Sequence, residues 1–216
     1  MGITEKVEMD IIAPSHKIVR ITEQPLELIE FAGRKCYQSE GAASPGSAPV
    51  FVHKILARGH YSVLEHASMT VCFVCDRGVT HELVRHRLAA YSQESTRFCN
   101  YSKGKFGQEL TFIQPTFWGQ EDSTQYKNWH YSCTQAEITY LALCASGAKP
   151  EEARSILPNS LKTEIVMTAD LREWRHVFHL RTSPKAHPQM RELMLPLLAE
   201  VRERIPVVFE DDLSEH

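Results

Sequence analysis

No apolar run in this sequence approaches the ~20 residues that a membrane-spanning helix requires, so no such helix is expected. The opening MGITEKVEMDIIAP carries acidic residues and no apolar stretch of the kind that precedes a signal cleavage site, so no secretory leader is expected either. Neither sign of charge is in excess: 24 Lys+Arg stand against 27 Asp+Glu, a formal net charge of −3. That balance argues against a general nucleic-acid binder and makes any arginine cluster a local feature. Neither G-x-G-x-x-G nor G-x-x-x-x-G-K-[ST] occurs, so a dinucleotide would not be held by those glycine loops. Internal repeats, low-complexity stretches and composition shifts are also missing. With 216 residues the expectation is one domain, 1–216, whose tail from 210 to 216 is frayed.

Cysteine is sparse and scattered: Cys36, Cys72, Cys75, Cys99, Cys133 and Cys144 lack a secretory context and read as reduced thiols of a cytoplasmic protein. Cys72 and Cys75 form a CxxC inside an expected strand, where a spacing of three sends the side chains to opposite faces. With no second pair to complete a zinc site, core packing is the better reading. The histidines offer no metal motif. His81-Glu82-Leu83-Val84-Arg85-His86 has one residue more than HExxH, and five helical steps turn about 500°, so the rings diverge. His176 and His179 share a helix face but have no third ligand nearby in sequence, and His60 and His66 flank a turn at a spacing that fits no metal.

The periodicities predict a mixed helix and strand chain. Helices are expected over 24–37, over 48–58 with a stop at Gly59, over 123–146 with a stripe of Trp129, Cys133, Ala136, Tyr140 and Cys144, from Pro150, and over 186–204. Strands are expected over 67–76, ending at an Asp76-Arg77-Gly78 turn, and over 161–167. Residues 89–121 read as loop with a short strand at 110–113. Thr80 is the expected cap of a helix carrying Arg85, His86 and Arg87, and Asp170 with Glu173 has the form of a capping box.

The most informative segment is RHRLAAYSQESTR. It sets Arg85, His86 and Arg87 seven residues before Ser95, with Arg97 close behind. Guanidinium forks match phosphate oxygens two at a time, and the following loop is rich in hydroxyl and amide groups. On residue chemistry alone, a site for a phosphorylated small molecule and a solvated basic face both stay open.

Arg-His-Arg, seven residues and Ser is similar to the signature of the flavin-dependent thymidylate synthases. Three more segments resemble that family in the same order: Gly59-His60-Tyr61-Ser62-Val63-Leu64-Glu65-His66; Ala153-Arg154 before Leu157-Pro158; and Leu171-Arg172-Glu173-Trp174-Arg175-His176 leading to Leu180-Arg181. Together they cover roughly 59–187.

The resemblance implies an α+β fold, a homotetramer with active sites at subunit interfaces, and the reductive methylation of dUMP to dTMP. The carbon comes from 5,10-methylenetetrahydrofolate, and the reductant is FAD recharged by NADPH. It implies that Glu82, Leu83, Val84, Arg85, Gln93, Glu94, Ser95, Thr96, Arg97, Arg154 and Arg181 hold dUMP. Ser62, Arg85, His86, Arg87, Gln93, Asp170, Arg172 and His176 would hold the flavin. Arg181 would stabilise the uracil ring anion, and Ser95 would position the ring rather than attack it. The implied mechanism needs no enzyme nucleophile, so Cys99 is read as incidental. Three positions depart from the family pattern: Glu82 where Gln is common, Asp170 where Asn is frequent and Phe98 where Tyr is usual. A carboxylate at position 82 would repel a phosphate, which leaves its backbone as the contributing part. The rival classes are a noncatalytic nucleotide- or RNA-binding protein using the Arg85–Arg97 loop, and a metal-dependent phosphohydrolase using the histidines.

Overall fold

The computed structural model describes residues 9–99, 101–102 and 109–210. In chain order it contains β1 (Asp10–Ile12), β2 (Ser15–Ile21), α1 (Pro25–Lys35), α2 (Ser47–Ala57), β3 (Ser68–Asp76), α3 (Arg77–Leu83) and β4 (Ala89–Gln93). There follow β5 (Thr111–Ile113), α4 (Thr124–Ala145), α5 (Pro150–Ala153), β6 (Lys162–Asp170), α6 (Leu171–Arg181), α7 (Pro188–Arg204) and α8 (Pro206–Phe209). A four-stranded sheet runs in the order β2-β3-β6-β4, and β1 pairs with β5 in a second, parallel sheet. The mixed α/β class is therefore as the sequence suggested.

The chain divides into two compact units. One comprises the described residues of Met1–Ser15, Val74–Leu83 and Gln93–Ile165. Its core is Leu110, Phe112, Tyr126, Trp129, Cys133, Tyr140 and Leu161. The long helix α4 supplies four of these. It starts where Ser123 accepts the Tyr126 N–H at 3.1 Å, and it stops at Gly147, whose φ of 100° suits a residue without a Cβ. The buried stripe is Tyr126, Trp129, Cys133, Glu137 and Tyr140, whereas Ala136 and Cys144 are half-buried. Glu137 earns its buried place by accepting the Leu110 N–H at 2.7 Å.

The other unit comprises His16–Phe73, Val84–Ser92 and the described residues of Val166–His216. Met69, Val71 and Phe73 are its buried positions on β3, alternating with residues that are not, and Met167 and Ala169 do the same on β6. On the opposite face Thr70 and Thr168 pair their hydroxyls at 2.9 Å. Helix α6 fills this unit's core with Leu171, Trp174, Val177 and Phe178, a helical stripe.

Four expectations need correcting. Asp76 does not open a turn: its carboxylate accepts the Val79 N–H at 2.7 Å and so caps α3, while Thr80 lies inside that helix and donates to the Arg77 carbonyl at 2.9 Å. Arg85, His86 and Arg87 are not helical, because α3 ends at Leu83. Beyond it Val84 and Arg85 form a turn and the chain runs irregularly to β4, with the His86 side chain buried while both arginines stay exposed. Strand β4 stands inside the stretch read as loop; its Ala-Ala-Tyr-Ser-Gln has little strand propensity, and pairing with β6 decides it. Pro206 starts one further helix, α8, after α7. Cys75 is buried and Cys72 half-buried, and among the described residues no disulfide forms. Residues 211–216 of the expected frayed tail, and Gly104 and Gly107 of the expected loop, lie outside the described residues.

Candidate active site

Helix α6 carries the first cluster. Asp170 accepts the Glu173 N–H at 2.8 Å and starts the helix, and burial of Trp174 and Phe178 turns the opposite side outward. The Trp174 indole donates to the Met69 carbonyl at 2.9 Å, which fixes the helix's rotation over β3. Arg172, His176 and Arg181 are thereby presented on one rigid element. Arg172 meets Glu65 at 2.5 Å, joining two of the four motif segments; both side chains are about half exposed, so the pair contributes little stability.

His86 is the buried centre of this cluster, 4% exposed. Its Nε2 accepts from Arg181 Nε at 2.9 Å, which leaves the ring proton on Nδ1, 3.3 Å from Glu173 Oε1. Burial, then the charges of Arg181 and His176, push the imidazole down to about 4. The 3.3 Å contact with Glu173 therefore sets a neutral imidazole beside a carboxylate and is not an ion pair. Burial raises the Glu173 carboxyl above its ordinary value. Tyr91 donates to the His86 carbonyl at 2.8 Å, and burial followed by Glu173 raises its phenol to about 12. His176 lies edge-on to His86, with ring centroids 5.7 Å apart.

Ligand atoms of His86, Glu173 and His176 fall within 4.8 Å of one another, so the third partner missing near His176 in the sequence is supplied by the fold. Cation binding would require the Nδ1 lone pair that this tautomer protonates, on a ring whose other nitrogen already holds a guanidinium. The arrangement is a neutral imidazole set between a guanidinium and a carboxylate.

The second cluster lies in the loop after β4. Thr96, 5% exposed, accepts from Arg154 at 3.4 Å across 58 positions of sequence, beside Ser95 and Arg97. Ser95 Oγ accepts the Arg97 N–H at 3.3 Å, and the Arg97 guanidinium reaches Glu151 at 3.0 Å on the surface. Glu94 is committed within the protein: it accepts from the Tyr101 hydroxyl at 2.8 Å and from Lys162 at 3.3 Å. Burial, then that bond, pushes the Tyr101 phenol up. Burial works against the Lys162 charge, yet Glu164 and Glu94 hold the ammonium pKa above its usual value. Gln93 donates to Thr80 at 3.0 Å and to Thr163 at 3.3 Å.

Of the remaining predicted residues, Ser62, Val84, Arg85 and Arg87 are exposed, Glu82 is half-buried and Leu83 is buried. Among the described residues neither Arg85 nor Arg87 has an ion-pair partner. Four contributors were not foreseen: Glu65, Tyr91, Lys162 and Glu173. Glu65 and Glu173 left readable signals, one in the Gly59–His66 motif segment and the other as the expected capping-box acid, whose carboxylate faces His86 instead.

Arginines gathered with hydroxyls in one cluster, and aimed by a buried histidine in another, suit an enzyme for small anionic ligands. Residues 17–207 match the family model of thymidylate synthase complementing protein. The flavin-dependent thymidylate synthase of Pyrococcus horikoshii is 35% identical over 195 residues, 87% of this chain and 79% of that protein. That of Geobacter sulfurreducens is 33% identical over 206 residues, 90% of this chain and 84% of that one. The crystal structure of thymidylate synthase X from Helicobacter pylori, solved with FAD and dUMP, shares the fold. Its TM-score is 0.76 over 94% of this chain and 100% of that chain, at 22% identity. The chain belongs to the thymidylate synthase complementing protein family, that of the flavin-dependent thymidylate synthases.

Proposed function

We propose that this chain reductively methylates dUMP to dTMP, taking carbon from 5,10-methylenetetrahydrofolate and reducing equivalents from FAD recharged by NADPH, with release of tetrahydrofolate. The observation that carries this reading is the meeting of Thr96 with Arg154, which sets two family motifs side by side with Ser95 and Arg97. Two guanidiniums and two hydroxyls are the donor set of a nucleoside monophosphate site. The resemblance assigns Glu94, Gln93 and the backbone of Glu82, Leu83 and Val84 to the same ligand, and the Glu94 and Gln93 side chains are held in place by Tyr101 and Thr80.

Arg85, Arg87 and Arg172, with Ser62, Asp170 and His176, suit the flavin. Their donor set fits: Arg85 and Arg87 are exposed, and Arg172 is held only by a surface pair that an anionic ligand can displace. When bound, the flavin supplies the hydride chemistry. The protein's own task is charge and orientation. C5 of uracil is a poor nucleophile until electron density enters the ring, and Arg181 at the N3/O2 side stabilises that density.

We read the whole chain as one functional domain, in a cytoplasmic homotetramer whose sites draw on more than one subunit. Leu88 and Phe98, 74% and 78% exposed, are large apolar side chains that a neighbouring subunit would cover in such an assembly. No helix among the described residues is long and apolar enough to cross a membrane.

An absorbance spectrum of purified protein with FAD added, followed by NADPH oxidation with and without dUMP, tests the reading. A flavin spectrum and oxidation stimulated by dUMP are expected; protein that never takes up flavin defeats it. Arg154→Ala is expected to raise KM for dUMP about 10- to 100-fold, with a smaller change in kcat, because it removes charge-assisted bonds made alike to ground and transition states. Steady-state kinetics at varied dUMP checks this.

A further inference from the structure

The geometry points to a positioning relay, Glu173 to His86 to Arg181, in which a neutral buried histidine holds the catalytic arginine by its Nε edge. This inference rests on the proposed role of Arg181. The resemblance places His86 against the flavin. In the structure Nε2 accepts from Arg181 at 2.9 Å, and Nδ1 lies 3.3 Å from Glu173 Oε1.

The direction of each bond follows from the chemistry of the partners. A guanidinium Nε only donates, so Nε2 of His86 must accept; an imidazole that accepts there keeps its single proton on Nδ1; and Glu173 is placed to accept that proton. The relay has one polarity and needs the neutral ring, which burial beside a guanidinium enforces. Its fixed ends are strong. The Glu173 N–H is tied to Asp170 at the helix start, and the His86 carbonyl is tied to the Tyr91 hydroxyl at 2.8 Å. Arg181 has a long and flexible stem, and the bond at Nε restricts the rotamers it samples. With Nε spent on His86, any contact Arg181 makes with a pyrimidine runs through its terminal nitrogens, in a plane that the imidazole sets. His176 and His86 are the groups facing Glu173 from within the cluster.

Arg181 is thus aimed by residues that touch no substrate. Three variants of the holoenzyme, with kcat, KM and Kd for dUMP and bound flavin all measured, test the relay. Glu173→Gln keeps the side chain's shape and leaves the helix cap intact, because the cap uses its backbone N–H. It is expected to lower kcat about 10-fold, with the dUMP Kd and flavin content close to wild type. His86→Leu is expected to lower kcat about 10- to 100-fold, the usual range for losing a group that orients a functional one. His86→Gln, which can accept from Arg181 and donate to Glu173, recovers part of that loss. In an Arg181→Ala background, Glu173→Gln and His86→Leu are expected to cost nothing further, since the relay then has nothing to aim.

Two results overturn the relay: losses that multiply in the Arg181→Ala background, or His86→Leu protein that loses flavin but regains normal kcat when saturated with FAD. The second assigns His86 to the cofactor instead. If Arg181→Ala turns over near normally, the role of Arg181 falls and the relay with it. Should His86→Leu fail to fold, Glu173→Gln alone decides, with unchanged kcat as the contradicting result.

Discussion

Arg181→Ala lowers kcat for dTMP formation about 10²- to 10³-fold while the protein still binds flavin. The magnitude is that of removing one preorganised donor aimed at developing charge, about 3–4 kcal/mol of transition-state stabilisation. The effect falls on kcat more than on KM because the ring is nearly neutral in the ground state and carries its charge only as C5 attacks. Arg181→Lys restores the charge but not the planar fork, nor the Nε contact with His86 at 2.9 Å, so it is expected to recover only a small part. Single-turnover kinetics with flavin content measured alongside checks this. Near-normal turnover of Arg181→Ala would sink the assignment.

Trp174→Ala is expected to destabilise the protein by about 3–5 kcal/mol, the usual cost of emptying a buried indole site. Trp174 has no solvent exposure, lies 5.6 Å from Phe178 and 6.4 Å from Phe73 by ring centroids, and satisfies the Met69 carbonyl. The variant loses the packing and the indole's hydrogen bond to that carbonyl. For a chain of this size such a loss lowers Tm by roughly 10 °C or more, readable by thermal denaturation. Trp174→Phe keeps most of the ring and is expected to lose less. The same indole sets the rotation of α6, so any Trp174→Ala protein that stays folded is also expected to be impaired in turnover, with Arg172, His176 and Arg181 no longer held in register.

Sequence periodicity located most helices and both long strands, because their apolar stripes are buried along a single face. It placed α4 within a residue at each end, since Ser123 and Gly147 punctuate it chemically. It failed where tertiary contacts override local preference. Strand β4 is made of poor strand formers held by their neighbours in the sheet. The Arg85–Arg87 segment looks helical by spacing but leaves the helix in a turn, its histidine buried against Arg181.

The site shows the same division. Motif spacing singled out Ser95, Thr96, Arg97 and Arg154 but gave no distance between them; the fold brings Thr96 and Arg154 together. The role of Glu173 stayed hidden although its capping-box position was legible, because nothing nearby distinguishes a carboxylate that caps a helix from one that faces a histidine; Tyr91 left no signal at all. That difference of role arises from a contact across 87 positions of chain, and only the folded backbone supplies it.

The most direct test of the central claim follows the carbon. Protein supplied with FAD, NADPH, dUMP and 5,10-methylenetetrahydrofolate labelled with carbon-13 at the methylene is quenched and its nucleotides are analysed by mass spectrometry. The predicted result is dTMP carrying the label in its methyl group, formed only when all four are present and nearly lost in Arg181→Ala. Flavin-loaded, dUMP-binding protein that oxidises NADPH yet yields no labelled dTMP would contradict the account.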